Sequence, residues 1–347
     1  MRVWCSLVTL SPATAPPRVQ IPAPAPRKCY IQNFKSIIMK ILIILPEFIP
    51  LEEVRKTVEQ ILPGTEIRTD TNFEENNAEV LVVTTFTKVD KNIVDKMKNL
   101  KFVQVASTGY DNVDLDYLKS KGIMLSNIPV ANKQSVAEHV IAMVLSFLKN
   151  LFLMDQVLRS GNWPMLSNSS DLEGKTFGIV GMGMIGKQLA IRLLPFNVNI
   201  VYYDIKRLSP EEEEKMGLTY MELDELLKIS DIVSIHLPLN EKTKNMFGEK
   251  EFSIMKDGAI FINTARAEIV DEKALINAIK KKGIKAGIDV YSKEPPDFTS
   301  EIFRLDNTLL SPHIAGVTIE SQQRFLTETI SNVLRYTQGI EPLYRVI

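Results

Sequence analysis

The turn Gly181-Met-Gly183-Met-Ile-Gly186 follows directly on the apolar run Phe177-Gly-Ile-Val180, and a second apolar stretch, Ile200-Val-Tyr-Tyr203, ends in Asp204. Strand, glycine-rich turn, helix, second strand and terminal acid together form the dinucleotide-binding fingerprint in its full βαβ setting. The first glycine permits the tight turn and the second lets backbone approach a pyrophosphate. The third lets helix pack closely on strand, with the phosphates at the positive helix N-terminus. Asp204 is placed to accept hydrogen bonds from both ribose hydroxyls and to repel a 2′-phosphate, so the motif predicts NAD ahead of NADP. Lys206 and Arg207 follow closely and could swing toward such a phosphate, which keeps NADP as the lesser alternative.

At 347 residues the chain has room for two domains with sizeable cores. With 45% hydrophobic residues, 24% charged residues and a net charge of −1, it has an ordinary globular composition and no excess of base to favour nucleic acid. The longest apolar segment, Val140 to Leu158, is broken by Lys149, Asn150 and Asp155, so it falls short of a membrane span and reads as a helix buried on several faces.

The first 38 residues differ from the rest: they hold six prolines and both cysteines, Cys5 and Cys29, and the first acid of the chain is Glu47. A transit segment, a short signal peptide ending near Ala13-Thr-Ala15 and an extension upstream of the functional start compete there. Six prolines fit an amphipathic helix poorly. The expectation is a disordered or misassigned extension, with Met39 as the functional start. The body beyond it carries no thiol, so neither disulfides nor a cysteine-ligated metal is expected.

From Met39 short apolar runs alternate with helical patterns, which predicts an α/β fold of two doubly wound domains. Strands are expected at Lys40 to Leu45, Val80 to Val83, Phe102 to Val105 and Met124 to Ser126, and then a long helix from Ser135 to Arg159. Six more strands follow: Thr176 to Val180, Asn199 to Tyr203, Ile232 to His236, Ala259 to Asn263, Ala286 to Val290 and Thr308 to Leu310. This places a Rossmann cofactor domain at 137–312, inserted in a discontinuous flavodoxin-like substrate domain made of 39–136 and 313–347. The final helix, Ile319 to Tyr336, is expected to pack back on the first domain.

A Rossmann sheet binds its ligands at the C-terminal edges of its strands. Asn263-Thr-Ala-Arg266 follows the fourth strand, Asp289-Val-Tyr-Ser-Lys-Glu294 the fifth and Ser311-Pro-His313 the sixth. Arg266 offers a planar fork to a carboxylate, His313 can exchange a proton near neutral pH, and Glu294 can hold the imidazole. Singly, each has a bland alternative: a surface salt bridge, a satisfied core histidine, a solvated loop acid. Three such coincidences at adjacent strand ends are harder to accept than one active site. His139 and His236 are weaker candidates, the latter as part of the cofactor wall.

From about Met39 onward the chain resembles the NAD-dependent D-2-hydroxyacid dehydrogenases. The resemblance runs through Ser107-Thr-Gly-Tyr-Asp-Asn-Val-Asp114, Ser126-Asn-Ile-Pro129, Ser135-Val-Ala-Glu138, Leu172-Glu-Gly-Lys175, the glycine motif, His236-Leu-Pro-Leu239, Asn263-Thr-Ala-Arg266, Val270-Asp271, Gly287-Ile-Asp289 and Pro312-His313. It implies that Arg266 binds substrate carboxylate and carbonyl, that His313 is the acid/base and that Glu294 is its partner. Backbone of Thr108 and Gly109 would hold the substrate carboxylate. Gly181, Gly183, Met184, Ile185 and Gly186 would lie under the pyrophosphate, Thr264 and Ala265 beside the nicotinamide, and Asp289 on its carboxamide. Ala267 and Ala315 stand where the family usually has glycine, which bears on pocket width.

The long apolar helix Ser135 to Arg159 suggests a homodimer built on the cofactor domains, which the resemblance also implies, and a cytoplasmic location is expected. For the substrate, Thr84-Thr85-Phe86-Thr87 carries no arginine and Lys88 is the nearest cation, so a small unphosphorylated 2-keto acid such as glyoxylate or hydroxypyruvate is expected. The runner-up is a D-3-phosphoglycerate dehydrogenase lacking a regulatory extension. An NAD-sensing corepressor on the same fold is the alternative of a different class.

Overall fold

The computed structural model describes residues 39–47, 49, 51–164 and 168–347, so the expectation for residues 1–38 lies outside it. Strands β1 (Ile41–Ile44), β3 (Val80–Val83) and β4 (Phe102–Val105) are buried at every position, as strands covered on both faces must be. With β2 (Glu66–Arg68) and β5 (Met124–Ser126) they form a parallel sheet in the order β2-β1-β3-β4-β5, flavodoxin-like as expected. Helices α1 (Leu51–Ile61), α2 (Lys91–Val94) and α3 (Leu115–Ser120) make the connections.

The chain then crosses to a second unit through α4 (Lys133–Leu148) and α5 (Leu151–Arg159). In sequence order there follow β6 (Thr176–Val180), α6 (Met184–Leu193), β7 (Asn199–Tyr203), α7 (Pro210–Met216), β8 (Leu218–Tyr220), α8 (Leu223–Ile229), β9 (Ile232–Ile235) and α9 (Glu249–Ile254). The unit closes with β10 (Ile260–Asn263), α10 (Glu272–Lys282), β11 (Lys285–Ile288) and β12 (Thr308–Leu310). The sheet is parallel in the order β12-β11-β10-β9-β6-β7-β8, a Rossmann arrangement whose order reverses between β6 and β9. Alternation along the strands supplies two cores. Val180, Val201, Val233 and Phe261 pack toward α8, α9 and α10, while Phe177, Ile179, Ile200 and Ile262 pack toward α4 and α6.

Two expectations change. The edge strands β2 and β8 join the sheets although neither was expected, because each is short and buries a single residue, so neither shows an apolar run. The helix expected from Ser135 to Arg159 is two helices, bent by 59°. Asn150 breaks it at φ +50°, a left-handed conformation that asparagine tolerates. α4 buries Ser135, Val136, Ala137, Val140, Met143, Val144 and Leu148, wider than one stripe, whereas α5 has no buried residue, so burial on several faces holds for the first half alone. Among the described residues no single helix is long and apolar enough to cross a membrane; α4 and α5 meet that test only when taken together across the bend.

After β12 the chain returns to the first sheet through α11 (Ile319–Thr337). Tyr336 stacks on Phe102 of β4 with ring centroids 4.7 Å apart. Asn332, 1% exposed, donates to Gln104 Oε1 at 2.8 Å and to Leu343 O at 2.8 Å, and accepts from Leu343 N at 2.7 Å. The last residues then pair antiparallel beside β5 at Ser126 and Arg345, covering an edge that would otherwise be open. The two crossings are joined side by side: Arg324 donates to Ala131 O, and the Ser135 and Thr318 hydroxyls lie 3.0 Å apart.

Asn332 is thus the polar anchor of the returning helix. Asn332→Ala strands buried partners on β4 and in the C-terminal tail and should lower stability by about 2–3 kcal/mol. A shifted urea midpoint with native circular dichroism is the expected result, and an unmoved midpoint would refute the anchor.

Candidate active site

Each glycine of the turn after β6 answers a different demand. Gly181 has φ +100°, and a Cβ there would lie 2.6 Å from His236 O across the switch point. A Cβ on Gly186 would lie 2.2 Å from Gly181 O, so helix and strand could not close. A Cβ on Gly183 would meet nothing within 4 Å. Its place in the motif therefore answers to something other than internal packing, and the open space above it suits an approaching phosphate.

No side chain caps α6 at Gly183, so its first N–H groups face that space. Met184, 48% exposed, and the half-buried Ile185 start the helix there. Asp204, at the end of β7, closes the site from the side: it accepts from Met182 N at 2.7 Å and from Lys206 N at 2.9 Å. Arg207, which could swing toward such a phosphate, is paired here with Glu213 in a bidentate contact at 2.8 and 2.9 Å. Uncapped helix, open space and a fixed acid fit a dinucleotide.

The 263–266 turn follows β10. Asn263 shapes it by donating to Arg266 O and accepting from Ala265 N, both at 2.9 Å. Thr264 is buried beneath, and its Oγ1 has no hydrogen-bond partner among the described residues. Arg266 reaches across to the first unit, where Nε and Nη2 donate to Asp111 Oδ1 at 3.1 and 2.9 Å, while Nη1 donates to Ala265 O at 2.7 Å. Burial alone would push the Asp111 carboxyl up, but the Arg266 guanidinium more than offsets this and holds it below the usual carboxylate range. Gly109 lies under the same fork: a Cβ there would fall 1.8 Å from Arg266 Nη2. Thr108 is tied by its hydroxyl to Ile128 O and Asn132 Oδ1, and by its carbonyl to Asn127.

His313 follows β12 at φ +54°, a strained conformation for this residue. Its Nδ1 lies 2.8 and 2.9 Å from the two oxygens of Glu294, which leaves Nε2 as the nitrogen to meet a ligand. Asp289 sets this loop. Fully buried, it accepts from Ser311 Oγ, from Ile314 N at 2.9 Å and from Ala315 N at 2.9 Å, while its carbonyl accepts from His313 N at 2.7 Å. Its carboxylate is turned to the loop. Ala315 is 3% exposed behind it, so its methyl group does not narrow the cleft.

The structure therefore brings Arg266, Glu294 and His313 to one sheet edge, facing Thr108 and Gly109. His313 is near enough to Asp111 to act on its charge. Two participants escaped sequence reasoning. Asp111 lay within a quoted segment but had no assigned partner, because its pairing depends on how the two units meet. His139, set aside as weak, touches Ser311 Oγ through Nε2 at 3.0 Å and so belongs to the network behind His313.

Residues 141–315 match the family described as "D-isomer specific 2-hydroxyacid dehydrogenase, NAD binding domain". Over 273 residues the chain is 37% identical to a glyoxylate reductase of Thermococcus litoralis, covering 76% of this chain and 82% of that protein. Its fold is similar to that of D-lactate dehydrogenase from Aquifex aeolicus complexed with NAD and lactic acid, with a TM-score of 0.78, 32% identity and coverage of 86% and 96%. An acyclic imino acid reductase in complex with NADPH and D-Arg is similar to the same degree, with a TM-score of 0.78, 29% identity and coverage of 89% and 100%.

His236 forms the wall opposite Gly181, with Nε2 3.0 Å from Ser234 Oγ. Burial pushes it down to about 4. The unfolded chain takes up this proton near the ordinary histidine value of about 6.5, so the contribution is complete above that pH and is lost as the pH falls toward 4. Burial lowers His139 as well, against the pull of Asp289, and adds to the loss. His236→Gln should flatten the dependence of melting temperature on pH across this window without abolishing it. Parallel curves for variant and parent would assign the acid sensitivity elsewhere.

Proposed function

Because the chain belongs to the D-isomer specific 2-hydroxyacid dehydrogenases, an oxidoreductase family, we propose that it reduces small unphosphorylated 2-keto acids such as glyoxylate or hydroxypyruvate with NADH. The observation that carries this reading is the His313–Glu294 pair set beside Arg266 at the cleft. Arg266 has five N–H groups, of which Asp111 and Ala265 O engage three, so two remain to receive a carboxylate and a carbonyl oxygen. The Thr108–Gly109 backbone faces the same fork and bounds the substrate on the other side.

NADH, when bound over Gly183, supplies the hydride. Nε2 of His313 gives a proton to the oxygen that becomes the hydroxyl, and Glu294 at Nδ1 keeps the ring oriented for that transfer. Arg266 stabilises the charge that develops on the same oxygen. Gly181, Gly186 and Asp204 hold the dinucleotide turn in shape, with Thr264 and Ala265 on the nicotinamide side. Fixed by two backbone N–H groups, the Asp204 carboxylate keeps lone pairs for ribose hydroxyls and repels a 2′-phosphate, which supports NAD over NADP.

Support for an unphosphorylated substrate comes from the loop after β3, where Lys88 is paired with Asp90 at 3.2 Å. The reading extends to a cytoplasmic homodimer. Leu151, Phe152, Leu153 and Leu158 of α5 are 50–57% exposed, and exposed apolar side chains concentrated on one helix are of the kind a second subunit covers. Leu153→Asp should then lower the molar mass measured by light scattering, and a monomeric parent would contradict the dimer.

Purified protein should oxidise NADH with glyoxylate or hydroxypyruvate faster than with phosphohydroxypyruvate. The opposite order would make it a phosphoglycerate dehydrogenase, and no turnover with any of them would leave a dinucleotide sensor. His313→Asn should lower kcat by about 10²–10⁴-fold with NADH affinity unchanged. Turnover at the parental rate would remove His313 from the mechanism.

A further inference from the structure

Arg207 stands three residues beyond Asp204, on the segment that would meet a 2′-phosphate. Its guanidinium is held elsewhere. Nε donates to Glu213 Oε1 at 2.8 Å and Nη2 to Glu213 Oε2 at 2.9 Å. Its plane lies over the Tyr220 ring, 5.0 Å from the centroid. Tyr202, fully buried on β7, donates its hydroxyl to Glu213 Oε1 at 2.6 Å and accepts from Leu208 N at 2.9 Å. The Arg207 guanidinium first and the Tyr202 hydroxyl second hold Glu213 down to about 2, so the pair remains ionised under any working condition. Glu213 is the buried member of the run Glu211–Glu214, whose other members are exposed. The Ser209–Glu212 capping box and Pro210 fix α7 in the register that turns it inward.

Arg207 keeps other N–H groups outside this pair, but swinging its guanidinium toward Asp204 to meet a 2′-phosphate would break both bonds to Glu213 and leave that carboxylate largely buried with Tyr202 as its remaining partner. We propose that Glu213 is a specificity-determining residue: by holding Arg207 against Tyr220 it withholds the cation an NADP site would need. NADP is thereby refused twice, through the charge of Asp204 and through the sequestration of Arg207. This rests on the NAD-dependent reading above and adds to it a residue that does not touch the cofactor.

The test is direct binding of NADH and NADPH to the full chain, followed by nucleotide fluorescence without substrate. Asp204→Ser alone should admit NADPH weakly. Adding Glu213→Gln should tighten NADPH about tenfold and leave NADH unchanged. Glu214→Gln, which removes the same charge from the exposed side of α7, should leave NADPH where Asp204→Ser set it. Adding Arg207→Gln to the Asp204→Ser/Glu213→Gln pair should erase the gain. Equal effects of Glu213→Gln and Glu214→Gln would overturn the proposal in favour of a general field.

A second comparison needs no change at Glu213 and stands even where Glu213→Gln fails to fold. Arg207→Gln in the Asp204→Ser background should leave NADPH affinity unaltered. Weaker NADPH binding there would show that Arg207 already reaches the phosphate and would overturn the lock. A parent protein that binds no NADH would overturn the cofactor reading and the lock together, whereas NADH binding with no Glu213 effect would overturn the lock alone.

Discussion

Asp289 has no exposure to solvent, and a carboxylate in that position without partners would cost several kcal/mol. It is instead surrounded by donors from a single loop, the Ser311 hydroxyl and the backbone N–H groups of Ile314 and Ala315. The same loop carries His313 in a left-handed conformation that costs on the order of 1–3 kcal/mol for such a residue. Burying the charge and straining the histidine are therefore offset by one set of hydrogen bonds. Because Asp289 sits just beyond β11, the histidine lands at the sheet edge, within reach of Glu294 five residues further along.

Parallel strands send all their C-terminal ends to one side, so the residues after β6, β10, β11 and β12 gather without any long excursion. Closing the site takes a contribution from the other sheet. Asp111 and Gly109, from the segment after β4, meet Arg266: one by charge, the other by the absence of a side chain. The cleft wall on that side is thus largely main chain, which leaves open space beside the guanidinium and fixes its position.

The glycine turn and its acid were legible because Gly181 and Gly186 meet local steric demands, while Gly183 keeps the space above the helix open. Arg266, Glu294 and His313 were legible because strand ends in a doubly wound sheet share an edge. What escaped depended on distance in sequence or on a single backbone angle. Asp111 and Arg266 are brought together only when two separately wound sheets meet. The long apolar segment breaks at Asn150, where one left-handed residue redirects nine apolar-rich positions outward. Arg207 was read as available because its partner, Glu213, is distinguished from its three acidic neighbours only by the phase of α7.

The two side-by-side crossings bear on the order in which this chain can mature. During synthesis β1 to β5 emerge before the inserted unit, but Gln104 and Phe102 on β4 wait for Asn332 and Tyr336, and the edge at Ser126 waits for Arg345. The inserted unit has all its strands by Leu310 and can close its own cores before the first unit is covered. Vectorial folding, which ordinarily favours the N-terminal unit, is here inverted. A segment made after the whole inserted unit completes the sheet made before it, and a nascent chain stopped short of α11 would present a finished dinucleotide fold attached to an unfinished first sheet.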